Sequence, residues 1–225
     1  MLNADPQLSP PTVQLDTLWD IIVSGGILMW PIGLCSVIGL AYIVERAIRL
    51  RDGELGSTSY GRSILDALKT GGATQAIQTC DREARPLGRI LRAGLARAGA
   101  QSLEREKAVE DAGARELKRM NARLRPLAVV GVLAPLLGFL GTVFGMIQAF
   151  INIALKQGLG RPELLAAGIS QALVTTAAGL CVAIPAQAAY FWFRARIDTF
   201  SRRTEDVYQE LDECLRTQPL PGATT

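Results

Sequence analysis

Three stretches of the chain hold no Asp, Glu, Lys or Arg: Ile21 to Val44, Leu127 to Leu155, and Leu164 to Phe193. Each exceeds the roughly 20 apolar residues with which a helix crosses about 30 Å of hydrocarbon. Inside lipid a segment must satisfy its own backbone hydrogen bonds, which restricts single uncharged runs of this kind to helices. The pattern predicts an all-α membrane protein with three transmembrane helices, spans two and three extending into a cytoplasmic helical bundle. A water-soluble domain of 225 residues rarely needs three such runs.

The basic residues set an orientation. No Lys or Arg precedes Arg46; 17 lie between Arg46 and Arg125, only Lys156 and Arg161 separate the second and third uncharged runs, and five follow Phe193. Basic residues concentrate on the cytoplasmic side of a membrane. This places the N-terminus in the periplasm and the large middle segment and the C-terminus in the cytoplasm, the topology of a multi-pass bacterial inner-membrane protein. The net charge of +3 thus reads as an orientation signal, and no nucleic acid is expected as a partner.

Punctuation along the chain gives the boundaries. Residues 1–16, with three prolines, read as a flexible periplasmic tail, and 17–26 as an interfacial helix with Trp19 at headgroup level. Transmembrane helix 1 is expected over 27–44, with Pro31 near its start. A cytoplasmic helical domain follows over 45–125, with Gly71, Gly72 and Gly99 as stops and Pro86 as a helix start. There Leu87, Ile90, Leu91, Gly94, Leu95 and Ala98 share one helical face, and Ser102 is placed to cap a helix carrying Glu104 and Glu106 in its first turn. Transmembrane helix 2 is read over 126–155, continuous with the charged helix before it, with Pro126 and Pro135 bending rather than ending it. A periplasmic loop over 156–163, transmembrane helix 3 over 164–193, and a cytoplasmic helix and tail over 194–225 complete the chain. In the last segment Ile197, Phe200, Thr204, Val207, Leu211 and Cys214 form a seam suited either to this chain's own middle helices or to a neighbouring copy.

Four cysteines without a CxxC pair and the absence of His argue against a disulfide framework and remove the commonest metal ligand; no cofactor and no metal is expected. In span two Pro135, Gly138, Thr142, Gly145, Ala149 and Asn152 recur at three- and four-residue spacing, and Gly141 with Gly145 forms a GxxxG pair. In span three Gly168, Gln171, Thr175 and Gly179 share a face, with Thr176 one step round and Pro185 beyond. Small residues of this kind serve close helix contact, and a membrane threonine often bonds only to its own helix. Depth adds a second meaning. Counted from Leu155 and Leu164, at about 1.5 Å per residue, Thr142 and Thr176 both lie about 18–20 Å from the outer surface. Repeated around a ring, that layer would form a polar collar.

The run VLAPLLGFLGTVFGMI over 132–147 closely resembles the second-span signature of ExbB and TolQ proteins, and GISQALVTTAAGLCVAIP over 168–185 resembles their third-span signature. LMWP over 28–31 and VER over 44–46 look like their first span and its exit. MotA proteins of the same MotA/TolQ/ExbB proton-channel family have a fourth span, so the resemblance is closer to ExbB and TolQ. It implies a homopentamer around the transmembrane helices of a dimer of a single-span ExbD- or TolR-like partner carrying a membrane Asp, with a TonB- or TolA-like protein as a further partner. It implies a role as ring subunit of a proton-motive-force-driven motor, with pore threonines at Thr142 and Thr176. From their place in the spans, Thr175 and Gln171 are read as lying beside them on the ion pathway, and Pro135, Gly138, Gly141, Gly145, Gly179 and Pro185 as serving helix contact. The family often carries Glu where this chain has Gln171, which hydrogen-bonds but does not ionise.

The residues agree with the need for a partner. No carboxylate, Lys or His lies within any span, so something else must hold the proton. An intramembrane enzyme lacks its acid, base or metal cluster here, and a secondary transporter lacks its inverted repeats and intramembrane ion ligands. The alternative from another class is a non-conducting membrane scaffold that anchors a periplasmic complex, toward which Gln171 leans.

Overall fold

A computed structural model of the chain describes residues 25–50, 55–83, 85–155 and 162–217. Among these residues every regular element is helical: α1 (Met29–Arg49), α2 (Thr58–Glu83), α3 (Pro86–Leu95), α4 (Ser102–Leu155) and α5 (Pro162–Thr217). The expected tail over 1–16, residues 17–24 of the interfacial helix, 156–161 of the loop and the last eight residues lie outside the described residues.

α1, α4 and α5 are each long and apolar enough to cross a membrane. α4, at 54 residues, runs unbroken through Pro126 and Pro135, and α5, at 56, through Pro185. Each is thus a single helix joining an apolar span to a charged stretch, α4 with the charges first and α5 with them last, as the continuous pattern predicts. α1 extends through Glu45 to Arg49, beyond the expected end at Val44, because Glu45 pairs with both Arg46 and Arg49 across its last turn. The chain is a multi-pass membrane protein.

It divides into two compact units, one of 25–36 with Val132–Ala183, the other of Val37–Gly131 with 184–217. In the first, small side chains point inward and large ones outward: Ala134, Gly138, Gly141, Gly145, Ala149, Ala172 and Gly179 are buried, whereas Leu136, Phe139, Phe144, Phe150 and Leu173 are exposed. An apolar surface of that extent requires lipid or protein against it.

The second unit is built the other way. Ile64, Leu68, Ile90, Leu91, Leu95, Leu124, Phe193, Ile197 and Leu211 are almost wholly buried, each contributing about 1.5–3 kcal/mol of apolar transfer. The face predicted on α3 is the buried one. The α5 seam is buried within this single chain at Ile197, Phe200, Thr204 and Leu211, which settles the two readings in favour of its own helices. Glycines and capping residues shape the connections. Gly72 has φ 70°, a left-handed conformation that kinks α2 into two segments, and Ser57 Oγ accepts the Tyr60 amide at the start of α2. Ser102 departs from its expected role. It opens α4, but its hydroxyl donates to Asp212 Oδ2 at 3.1 Å instead of capping, because Asp212 is the anchor of a buried charge network.

Candidate functional site

α4 and α5 meet in the first unit through backbone rather than side chains. Descending α4 while ascending α5, Ala149 faces Gly168, Gly145 faces Ala172, Gly141 faces Thr175, and Gly138 faces Thr176 and Gly179, so the two helices are antiparallel. A methyl added at Gly179 would stand 2.6 Å from the Ala134 carbonyl oxygen and 3.1 Å from Gly138 Cα; one at Gly138 would stand 3.1 Å from Thr176 Cα. Only glycine permits approach this close, the general device of membrane helix pairs.

The hydroxyls sit at this seam. Thr176 Oγ1 donates to the Gly138 carbonyl across the helix pair at 2.9 Å. Thr175 is buried, its hydroxyl on the Gln171 carbonyl at 2.7 Å with the Gly25 carbonyl at 3.4 Å. Thr142 is partly exposed and donates to Phe139 O of its own helix at 2.6 Å. Each threonine proton is thereby engaged by a carbonyl. The hydroxyl oxygen keeps acceptor capacity, which suits an ordered water or hydronium at Thr142 and Thr176, both partly exposed. Gln171 is partly buried, its carboxamide lying against Gly26, whose φ of 74° and missing side chain make room.

The sequence-predicted residues thus separate by depth in the chain. Gly138, Gly141, Gly145 and Gly179 lie buried in the α4–α5 seam, Thr142 and Pro135 sit on its shoulder, and Pro185 and Asn152 are exposed. The stripe that meets α5 passes through Ala134, Gly138, Gly141, Gly145 and Ala149, with Gly141 rather than Thr142 at its centre. Ala134 and Ala172 were missed; tracking every small residue instead of the polar ones would have found them. Among the described residues no group of three potential metal ligands occurs.

Outside the spans, Asp212 and Glu116 anchor two networks of charged side chains. Arg105 donates to Asp212 Oδ1 from Nε at 3.0 Å and from Nη2 at 2.7 Å, and to the Ala100 carbonyl at 2.6 Å; Arg216 reaches Asp212 Oδ2 at 2.7 Å. Burial pushes the Asp212 carboxyl up, but the hydrogen bonds from Arg105 and Ser102 and the nearby positive charge outweigh it and leave the pKa lowered. Glu116 is held below its ordinary value mainly by the hydrogen bonds from Arg89 Nε and Nη2 at 3.0 and 2.9 Å. Burial raises the Cys80 thiol to about 12, so it is protonated at neutral pH. These groups hold a helical unit together, whereas the uncharged spans carry no Asp, Glu, Lys, Arg or His.

Sequence comparison agrees with this geometry. The model of the MotA/TolQ/ExbB proton channel family matches residues 82–206, a stretch holding both threonine positions. The biopolymer transport protein exbB1 of Vibrio cholerae is 34% identical over 173 residues, 72% of this chain and 73% of that protein. The biopolymer transport protein ExbB of Neisseria meningitidis serogroup A is 31% identical over 190 residues, 80% of this chain and 83% of that one. A putative biopolymer transport protein ExbB homolog of Methanothermobacter thermautotrophicus is 27% identical over 192 residues, 85% of this chain and 68% of that one. With its paired glycine-rich spans inside the matched stretch, the chain belongs to the MotA/TolQ/ExbB proton channel family.

Proposed function

We propose that the chain is the ring subunit of an ExbB/TolQ-like motor in the bacterial inner membrane, serving biopolymer transport by coupling proton flow to mechanical work at the envelope. In this reading five copies surround the membrane helices of a dimeric ExbD- or TolR-like partner, and a TonB- or TolA-like protein receives the work. The N-terminus faces the periplasm and the C-terminus the cytoplasm, following the placement of the basic residues.

The observation that carries the proposal is the chemistry of the seam. Its threonines spend their protons on carbonyls and keep oxygens able to accept, yet no residue in the spans can take up and release a proton at neutral pH. Such a wall solvates a passing proton and needs a carboxylate from elsewhere to hold it. Thr142 and Thr176 are assigned to the pore surface. Thr175 and Gln171, flanking them within the subunit, complete the polar layer. A non-conducting scaffold is the second reading, favoured by the non-ionising Gln171.

Proton flux into liposomes holding the chain with its single-span partner tests the proposal. Flux should need both chains and vanish when the partner's membrane Asp becomes Asn. Thr142→Val should reduce flux at least tenfold with unchanged stability, since its bond lies within one helix turn. Thr176→Val should do the same and also cost about 1 kcal/mol, the bond to Gly138 being lost. A well-formed complex without flux would establish the scaffold instead.

A further inference from the structure

The unit formed by Val37–Gly131 and 184–217 carries a groove of about 420 Å³ between α4 and α5. Val109, Leu117 and Phe200 give it an apolar lining, and Glu106, Glu110 and Glu205 stand exposed along it. None of these three carboxylates forms an ion pair among the described residues, and Glu205 takes only the Ser201 hydroxyl, at 3.4 Å. Tyr208 also lines the groove, and its buried hydroxyl has no hydrogen-bond partner among the described residues. Acidic groups left unpaired around an apolar floor call for a cationic, partly apolar occupant.

The chain itself offers one. Lys107, Arg115 and Lys118 are exposed on α4, likewise without an ion pair among the described residues. At about 100° per residue Lys107 and Lys118 lie about a quarter of a turn from the Glu106–Glu110 face and Arg115 nearly half a turn, with exposed Asp111 between Lys107 and Arg115. They also occupy the same length of α4 as the groove. Copies held side by side in one orientation by one membrane therefore bring the two surfaces to the same height. The aliphatic stems of Lys and Arg can cover an apolar floor while their charged ends reach the rim.

We infer that this groove receives the Lys107–Arg115–Lys118 ridge of a second copy of the chain. A contact between two different faces, repeated from copy to copy, closes into a ring; the inference rests on the ring reading above and supplies its contact outside the spans.

Two differently tagged copies in the same membranes test it, one carrying Glu110→Cys and the other Arg115→Cys, treated with a short bismaleimide. The expected product joins both tags in several-fold higher yield than either copy gives with the parent chain, whose native cysteines set the background. Lys107→Glu with Lys118→Glu in the second copy should lower that yield several-fold, and Glu106→Lys with Glu205→Lys in the first should restore it. An intact ring by native mass measurement with no two-tag product above background overturns the inference and leaves the ring standing. So does a product indifferent to the charge reversals, or protection of Glu110→Cys only by an added cationic peptide. A monomeric chain overturns both readings together.

Discussion

The two units solve opposite problems with one chain. In the unit holding Thr142 and Thr176, glycine and alanine face inward and Phe and Leu face out, because lipid offers large apolar residues no reason to hide. Contact there is between backbones, and polar hydroxyls find carbonyls. In the other unit large apolar residues fill the interior, and a buried Arg105–Asp212 pair spans α4 and α5. The difference shows where each unit is fragile: the first to added volume, the second to a lost charge.

The largest effect should follow from breaking that charge pair. Arg105 and Asp212 have side chains only 7% and 11% exposed, and removing one partner of a buried pair costs about 3–5 kcal/mol. Asp212→Ala should therefore lower stability by that amount in a denaturant titration of the detergent-solubilised chain; a change below about 1 kcal/mol would mean that water already shields the pair. The pH dependence has a definite sign. Because the folded Asp212 and Glu116 have lowered pKa values, their stabilisation is present above the unfolded carboxylate pKa of about 4 and is lost as pH falls through the folded values. Stability should thus be flat near neutrality and decline in acid, and Asp212→Ala should shrink that decline.

Adding volume to the first unit comes next. Gly179→Ala places a methyl against the Ala134 carbonyl and Gly138 Cα, backbone on both sides, so the helices must separate. Overpacking of this kind costs about 1–3 kcal/mol. Thermal unfolding in detergent measures it, and loss of proton flux should accompany it because separation pulls Thr176 from Gly138. Unchanged unfolding would show the seam to be looser than its geometry.

The fold was legible to the extent that it is local. Uncharged length marks a span, Pro86 opens α3 and Gly72 kinks α2, and each signal acts within a few residues. Ser102 was misread as a cap because its true partner, Asp212, lies 110 residues away, and no periodicity announces a tertiary ion pair. At the site, spacing put Thr142 on the inward stripe, yet adjacent positions on a helix differ by only about 100°. The choice between Gly141 and Thr142 falls to the bulk of Thr175 opposite, which only a glycine admits.

The smallest prediction sharpens the comparison most, because it repeats the same chemical change where the surroundings differ. Gly113 lies within α4 in the second unit, and a methyl there would meet nothing within 4 Å. Freed of any clash, Gly113→Ala keeps only the helix-propensity gain and should stabilise the isolated chain by about 0.5–1 kcal/mol. The sign is opposite to that of Gly179→Ala, and thermal unfolding of the two variants side by side reads it directly. Gly113 also lines the acidic groove. If that groove is filled by a second copy, the gain should shrink or reverse once the chain is assembled, while the isolated chain keeps it. A loss in the isolated chain would mean that backbone at Gly113 is constrained by something other than space, and the contrast between a volume-limited unit and a charge-limited one would fail at this position.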